Sequence, residues 1–411
     1  MSASNSQLRK IIYLSGTRAD FGLMKSTLEW LGPISDLSVA VTGMHLEPSF
    51  GHTVDDIRSA GLRICGEVAV DVKTRTPQSM STAVGECLIG MTGLLQRERP
   101  DILLLLGDRG EMLAGAIAAL HLGIVCVHIH GGERSGTVDE PVRHAISKLS
   151  HYHLVATNES RDRLIRMGER PELVHVTGAP GLDGLVASAS LSLADCQRAL
   201  NLPQAQAFLL VVFHPVVQQA MDAYSQTLQI LGALKNTGLP VVWLEPNSDA
   251  GSGDILRALT ELGLPPGSQR LAHMDRALFS AAMRHCAAMI GNSSAGIIEA
   301  ACFGTPVVNL GARQNLRDLR LRPRAVLGVS SFLVEVEVNL LREMREHLVD
   351  AVIFGNELEQ LGGRAAPPHA TVLLGVRVDH DLALAAVLDR DVLRTALRAC
   401  VLEPGDSPNV D

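Results

Sequence analysis

Aromatic residues are scarce in this chain. They occupy 3% of its 411 positions, so aliphatic side chains have to fill the core, and the stripe of aromatics interleaved with basic residues that binds single-stranded nucleic acid is missing. Positive charge is in the minority too. Thirty-six Lys and Arg stand against 44 Asp and Glu, a formal net charge of −8, which argues against the concentrated cationic surface that neutralises nucleic-acid phosphates. No apolar run reaches the ~20 residues of a membrane-spanning helix. The opening MSASNSQLRK is polar and leads into a strand-length run too brief for a secretion-signal core. Seven cysteines, an odd number, are scattered at 65, 87, 126, 196, 286, 302 and 400. That pattern fits reduced thiols better than a disulfide framework. These absences lead to the expectation of a cytoplasmic protein with no nucleic-acid or membrane partner.

What the chain does have is alternation. The short apolar runs IIYLSG, LSVAVTG, DILLLLG and IVCVHIH each end in Gly or His and each lead into a helical pattern. Such continuous runs read as strands buried on both faces, hence a parallel sheet flanked by helices. A second series, AFLLVVFH, LPVVWLEPN, AAMIGN and TPVVNLG, repeats the grammar after Pro203. The fold class expected is therefore α/β, with two Rossmann-like domains whose parallel sheets face a central cleft. A Gly/Ala/Ser/Pro-rich stretch near 179–205 marks the boundary, giving domains at 1–190 and 191–375 and a divergent tail at 376–411. Ligands of such sheets bind beyond the carboxyl ends of the strands, and the unusual residues of this chain collect there.

The most informative segment is 288–311, AMIGNSSAGIIEAACFGTPVVNLG, a strand running through Gly-Asn-Ser-Ser-Ala-Gly into a helix. Unpaired N–H groups at a helix start attract phosphate. Gly291 and Gly296 permit close approach, Ser293 and Ser294 add hydroxyls, and Glu299 suits the two hydroxyls of a ribose. An ordinary strand-to-helix turn with Ser as N-cap is the plain alternative. Arg18, after the first strand, can reach an anion or be a solvated charge; Asp108, after DILLLL, can be functional or a helix cap. The densest cluster runs from His128 through His130, Glu133 and Asp139 to His151. So many titratable groups suit proton transfer. A capped helix with a polar face, or a metal site built on His-x-His, competes with that reading, although no further His or Cys spacing completes a ligand set. His214 and Asn247 end two strands of the second series, beside the anion loop.

Taken jointly, GTRADFG, VTGMH, GDR, HIHGGE through SGTVDE and RHAISKLSH, FHP, EPNSDAGS and GNSSAGIIEA resemble the hydrolysing UDP-N-acetylglucosamine 2-epimerases of the sialic acid pathway and their relatives acting on UDP-2,4-diacetamido-trideoxy sugars in legionaminic acid synthesis. The resemblance covers about residues 10–315 and implies the two-domain GT-B fold. For the reaction it implies elimination of UDP to a 2-acetamidoglycal, then hydration, giving UDP and a free sugar inverted at C2; UDP-GlcNAc yielding N-acetylmannosamine is the favoured case and the diacetamido sugar the alternative. It implies that Arg18, His214, Asn247, Ser293, Ser294, Gly296, Glu299 and Arg313 bind substrate, and that Asp108, Glu133 and Asp139, with His130, serve catalysis. It implies no metal or other cofactor, and a homo-oligomer, dimer or tetramer. Two positions depart from the pattern: His130 stands where some relatives carry Glu, and Leu23 where many carry Lys. After Asn315 no counterpart is recognisable. A GT-B glycosyltransferase and a catalytically silent UDP-sugar-binding protein are the readings from other classes.

Overall fold

A computed structural model describes residues 8–314 and 316–317 and the backbone of 326–329; the tail expected at 376–411 lies outside the described residues. The first sheet contains β1 (Lys10–Ser15), β2 (Asp36–Thr42), β3 (Ile64–Val68), β4 (Ile102–Leu106), β5 (Val125–Ile129), β6 (Tyr152–Val155) and β7 (Val174–Val176) in the spatial order β3-β2-β1-β4-β5-β6-β7. The second contains β8 (Leu209–Val212), β9 (Val241–Leu244), β10 (Gln269–Leu271), β11 (Ala288–Gly291), β12 (Val307–Leu310) and β13 (Val326–Val329) in the order β10-β9-β8-β11-β12-β13. Every neighbouring pair is parallel. This is the α/β, two-sheet GT-B arrangement that the sequence led us to expect.

The apolar runs explain the layering. In β4 all five residues are buried; Ile102, Leu104 and Leu106 pack into one cluster with Phe21, Met24 and Leu28, while Leu103 and Leu105 face Met91, Leu94 and Ala116 on the other side. A strand without a polar face needs helices on both sides. The helix Gly110–Leu122 lies so close to the sheet that a Cβ on Gly115 would come within 2.7 Å of Leu14 Cδ2. Among the described residues all six cysteines are unpaired, and no helix is long and apolar enough to cross a membrane.

Topology positions the site. In each sheet the chain starts in the middle, winds outward to one edge, then returns and winds to the other, so the order reverses between β1 and β4 and again between β8 and β11. Crevices open at such switch points beyond the carboxyl ends of the strands. The helix expected after the anion loop is present and short. After GNSSAG the α-helix is a single turn, Ala295–Ile298, continued as the 3-10 turn Ala300–Phe303. Gly304, in the left-handed region at φ 63°, ends it and returns the chain to β12.

Candidate active site

The first crevice is built around a buried carboxylate. Asp20 caps the helix Arg18–Leu31 reciprocally with Thr17, and accepts the N–H groups of Gly16 at 3.0 Å and Thr17 at 2.7 Å as well as the hydroxyls of Tyr13 and Ser15. This fixes the turn that carries Arg18. Arg18 itself pairs with Asp56 at 3.3 Å, and His273 of the second half lies 3.7 Å from the same carboxylate. Arg18 thus sits on the rim between the halves, and its side chain is engaged by Asp56 rather than by Ser293 or Ser294.

At the end of β4, Gly107 takes φ 82° and its carbonyl accepts the Nε2–H of His128 at 2.7 Å. The next residue, Asp108, is paired with Arg143, whose side chain is 2% exposed and whose second nitrogen donates to the Glu133 carbonyl at 3.0 Å. Asp108 does not cap the following helix: that helix starts at Gly110 with Arg109 in the cap position. Asp139 opens the helix Asp139–Lys148 without capping it, and its Oδ2 accepts from Arg313 at 3.3 Å.

His130 lies one residue beyond β5 with φ 63°, so it does not continue the strand face of His128. Its Nδ1 is 2.8 Å from Glu133 Oε1, and the other oxygen of Glu133 pairs with Arg317. Burial alone would raise the Glu133 pKa; Arg317 and His130 outweigh it and hold the carboxyl down at about 2. With His128 committed to Gly107 and Ser147 and His130 to Glu133, the metal reading of His-x-His finds no geometry. Among the described residues no three His, Cys, Asp or Glu side chains converge as a metal site.

The second crevice centres on side-chain amides and a buried imidazole, with the carboxylates Asp249 and Glu299 and the cations Arg276 and Arg313 around them. Gly291 takes φ 141°, and a Cβ there would lie 1.9 Å from the Val212 carbonyl oxygen, so only glycine lets β11 leave the sheet at this point. Asn292 clamps the neighbouring strand end by accepting the His214 N–H and donating to its carbonyl, both at 2.8 Å. The Asn247 N–H donates to His214 Nδ1 at 3.2 Å, which leaves the ring proton on Nε2. Burial, with Arg313 and Arg109 nearby, pushes the His214 pKa down to about 3, so the ring is a neutral donor.

Around the anion loop, Ser293 Oγ accepts the Ala295 N–H at 3.3 Å, and Ser294 makes no side-chain capping bond. Gly296 faces the sheet, where a Cβ would stand 3.0 Å from Val307 Cγ1. Its smallness therefore serves helix-to-strand packing. Glu299 is 7% exposed and 3.5 Å from Arg276. Burial raises its pKa, and Arg276 and His130 oppose the rise.

The halves are joined across the cleft by side chains that sequence reasoning named only in passing or not at all. Arg313 donates to the Asn292 carbonyl at 3.3 Å as well as to Asp139, and its own carbonyl accepts the Gly136 N–H at 3.2 Å. Gln314 reaches the Asn292 carbonyl at 3.2 Å and Arg317 reaches Glu133. Arg109 lies 3.2 Å from Glu111 and 3.7 Å from Asp249. A cavity of about 220 Å³ opens between the halves, with Asp108, Arg109, Asp139, Asp249 and Arg313 among its lining residues. His214, Ser293, Ser294 and Glu299 do not line it; His214 is linked to it through Asn292 and Arg313. Arg143 could have been found from its spacing, since it stands four residues after Asp139 on the same helix face. Arg317 carries no comparable signal.

Known proteins share this chain's fold and much of its sequence. Residues 33–349 match the family model described as UDP-N-acetylglucosamine 2-epimerase, so the match runs past Asn315, where the recognisable motifs end. A "UDP-N,N'-diacetylbacillosamine 2-epimerase (hydrolyzing)" of Legionella pneumophila is 47% identical over 313 residues, covering 76% of this chain and 83% of that protein. A "UDP-N-acetylglucosamine 2-epimerase" of Neisseria meningitidis serogroup B is 34% identical, covering 76% and 82%. Among solved structures, the UDP-N-acetylglucosamine 2-epimerase of Rickettsia bellii aligns with TM-score 0.66 at 20% identity, over 95% of this chain and 96% of that one, and shows the same fold. The chain belongs to the UDP-N-acetylglucosamine 2-epimerase family of enzymes.

Proposed function

We propose that this protein is a hydrolysing 2-epimerase that converts a UDP-2-acetamido sugar and water into UDP and the free sugar inverted at C2, and that its substrate is UDP-N,N'-diacetylbacillosamine. The observation that carries the reaction is the placement of Asp108 and Asp139, each paired with an arginine, at a cleft whose second half brings Arg313 and, behind Asn292, the neutral His214 ring. Removal of the C2 proton by one carboxylate expels UDP as the C1–O bond breaks, leaving a double bond between C1 and C2. Water then adds its oxygen to C1, and a proton returns to C2 on the opposite face. Two carboxylates flanking the ring can supply both transfers.

The leaving diphosphate gains negative charge as the C1–O bond breaks, and a cation held at the cleft stabilises that change. Arg313 is the cation placed for this role: it reaches the Asn292 carbonyl of the second crevice and Asp139 of the first. His214 Nε2–H, Ser293 and Ser294 serve the nucleotide, with Glu299 on its ribose. Relatives support the substrate choice: the Legionella protein of that specificity is 47% identical, against 34% for the meningococcal enzyme named for UDP-GlcNAc. The sequence motifs alone lean the other way, towards UDP-GlcNAc. Incubating the protein with each UDP-sugar and following UDP and free sugar by NMR tests both parts. UDP release with a free 2-epimer from the diacetamido sugar supports the proposal; UDP-GlcNAc as the better substrate overturns the assignment of the sugar, and transfer to an acceptor overturns the reaction.

A further inference from the structure

The lining of the cavity between the halves is of two kinds: Asp108, Arg109, Asp139, Asp249 and Arg313 are charged, while Val72, Met80, Ala83 and Val84 form an aliphatic group, with Val138 and Val142 beside Asp139. The aliphatic side rests mainly on the helix Pro77–Glu98, which Pro77 and the Thr76–Ser79 capping box start at the cavity edge. Its place is set by contacts at both ends: the Ala250 N–H of the second half points at Met80 Sδ, 3.2 Å away, and Val84 lies directly over Gly110, where a Cβ would come within 2.6 Å of Val84 Cγ2. Gly110 is two residues from Asp108, so the aliphatic wall and the carboxylates are held at a fixed separation.

Ser81, beside the aliphatic residues, is exposed; the other polar groups there are already engaged. Asp71 accepts the N–H groups of Lys73 at 2.8 Å and Thr74 at 3.2 Å, Ser79 is held in the capping box, and Arg75 stacks on Phe50. A hydroxyl turned towards this wall meets aliphatic carbon and loses its water without a replacement partner, whereas a methyl group is favoured there.

A pyranose ring that presents its C1–C2 edge to Asp108 and Asp139 turns the opposite edge, C4 to C6, away from them. We propose that Val72, Met80, Ala83 and Val84 form the surface that reads this far edge, selecting the C6 methyl and the methyl of the C4 acetamido group of a 2,4-diacetamido-2,4,6-trideoxy sugar over the hydroxymethyl and hydroxyl of N-acetylglucosamine. The inference rests on the function proposed above and adds the residues that decide between its two candidate sugars.

The test is the ratio of kcat/KM for the two UDP-sugars in the wild type, Val84→Thr and Met80→Gln. Val84→Thr is nearly isosteric and adds one hydroxyl to the wall; Met80→Gln does the same with an amide at the other end and guards against a packing defect at either position. The selectivity ratio should fall about tenfold towards UDP-GlcNAc in each variant, the size expected when a pocket gains or loses a match to one small group, while UDP affinity and the melting temperature stay near wild type. A ratio that stays constant while both substrates slow in parallel would overturn the wall. Wild-type preference for UDP-GlcNAc would overturn the wall and the sugar assignment together, and a wild type that turns over neither sugar would overturn the function on which both rest.

Discussion

The two halves share a strand order and differ in what they place at the reversal point. Between β1 and β4 the chain sets charge against charge: Asp108 on Arg143, Arg109 on Glu111, and just beyond β5 Glu133 on Arg317. Between β8 and β11 it sets the Asn292 side-chain amide on the His214 backbone, and the Asn247 backbone N–H on the His214 ring. A common topology therefore supplies the crevice and leaves its chemistry to a few strand-end residues. Paired carboxylates suit proton transfer in a dry cleft; neutral N–H donors suit a ligand that already carries its own negative charge.

That contrast can be broken most severely at Gly291. Ala at this position puts a Cβ 1.9 Å from the Val212 carbonyl oxygen, a clash that should cost roughly 4 kcal/mol or more, at the far end of single-substitution effects. Urea unfolding should show the loss, and UDP binding should vanish at 25 °C. Arg143→Met tests the other half. It leaves Asp108 without its buried partner, which should cost roughly 3 kcal/mol of stability and slow turnover while leaving UDP affinity within about threefold. Lost UDP binding in Arg143→Met would mean that the halves do not divide the work as described.

Acid provides a comparison within one sample. Burial holds the pKa of His128 in the first half and His214 in the second down to about 3, from an ordinary 6.5. The unfolded chain therefore takes up these protons first, so the stability tied to both rings is complete above pH 6.5 and is lost as pH falls towards 3. Between pH 7 and 5.5, above the pH at which Glu133 titrates in either the folded or the unfolded chain, the urea midpoint should drop. His128→Asn and His214→Asn should each flatten part of that slope; a slope unchanged in both would show that the imidazoles do not carry it. The smallest expected effect is at Ser294, whose hydroxyl has no capping role. Its replacement by Ala should weaken UDP by about 1 kcal/mol, one hydrogen bond, read by calorimetry.

Much of this was legible in the sequence because strands buried on both faces must be continuous apolar runs, and IIYLSG, DILLLLG and AAMIGN are that. Strand ends with Gly, His or Asp located both crevices before any contact was known. What stayed hidden depends on partners distant in the chain. The Asp56 partner of Arg18 is supplied by another loop. The pairing of Glu133 with Arg317 spans 184 positions and leaves no periodic trace. The single-turn helix after Ser294 was also invisible, since a short and a long helix open alike; only the left-handed Gly304 stops this one. Gly296 looked like a residue cleared for a ligand, and only its distance to Val307 shows that it is packed on the sheet.

Asp139→Asn tests most directly whether the carboxylates act on the sugar while the second half holds the nucleotide. The substitution keeps the shape and the approach to Arg313 but removes the basicity. Turnover of the UDP-sugar and UDP affinity should be measured on the same preparation. We predict kcat lowered by about a hundredfold to ten-thousandfold with UDP affinity within about threefold of wild type. Near wild-type turnover, or a loss of UDP binding that matches the loss of rate, would contradict the division of labour between the two halves.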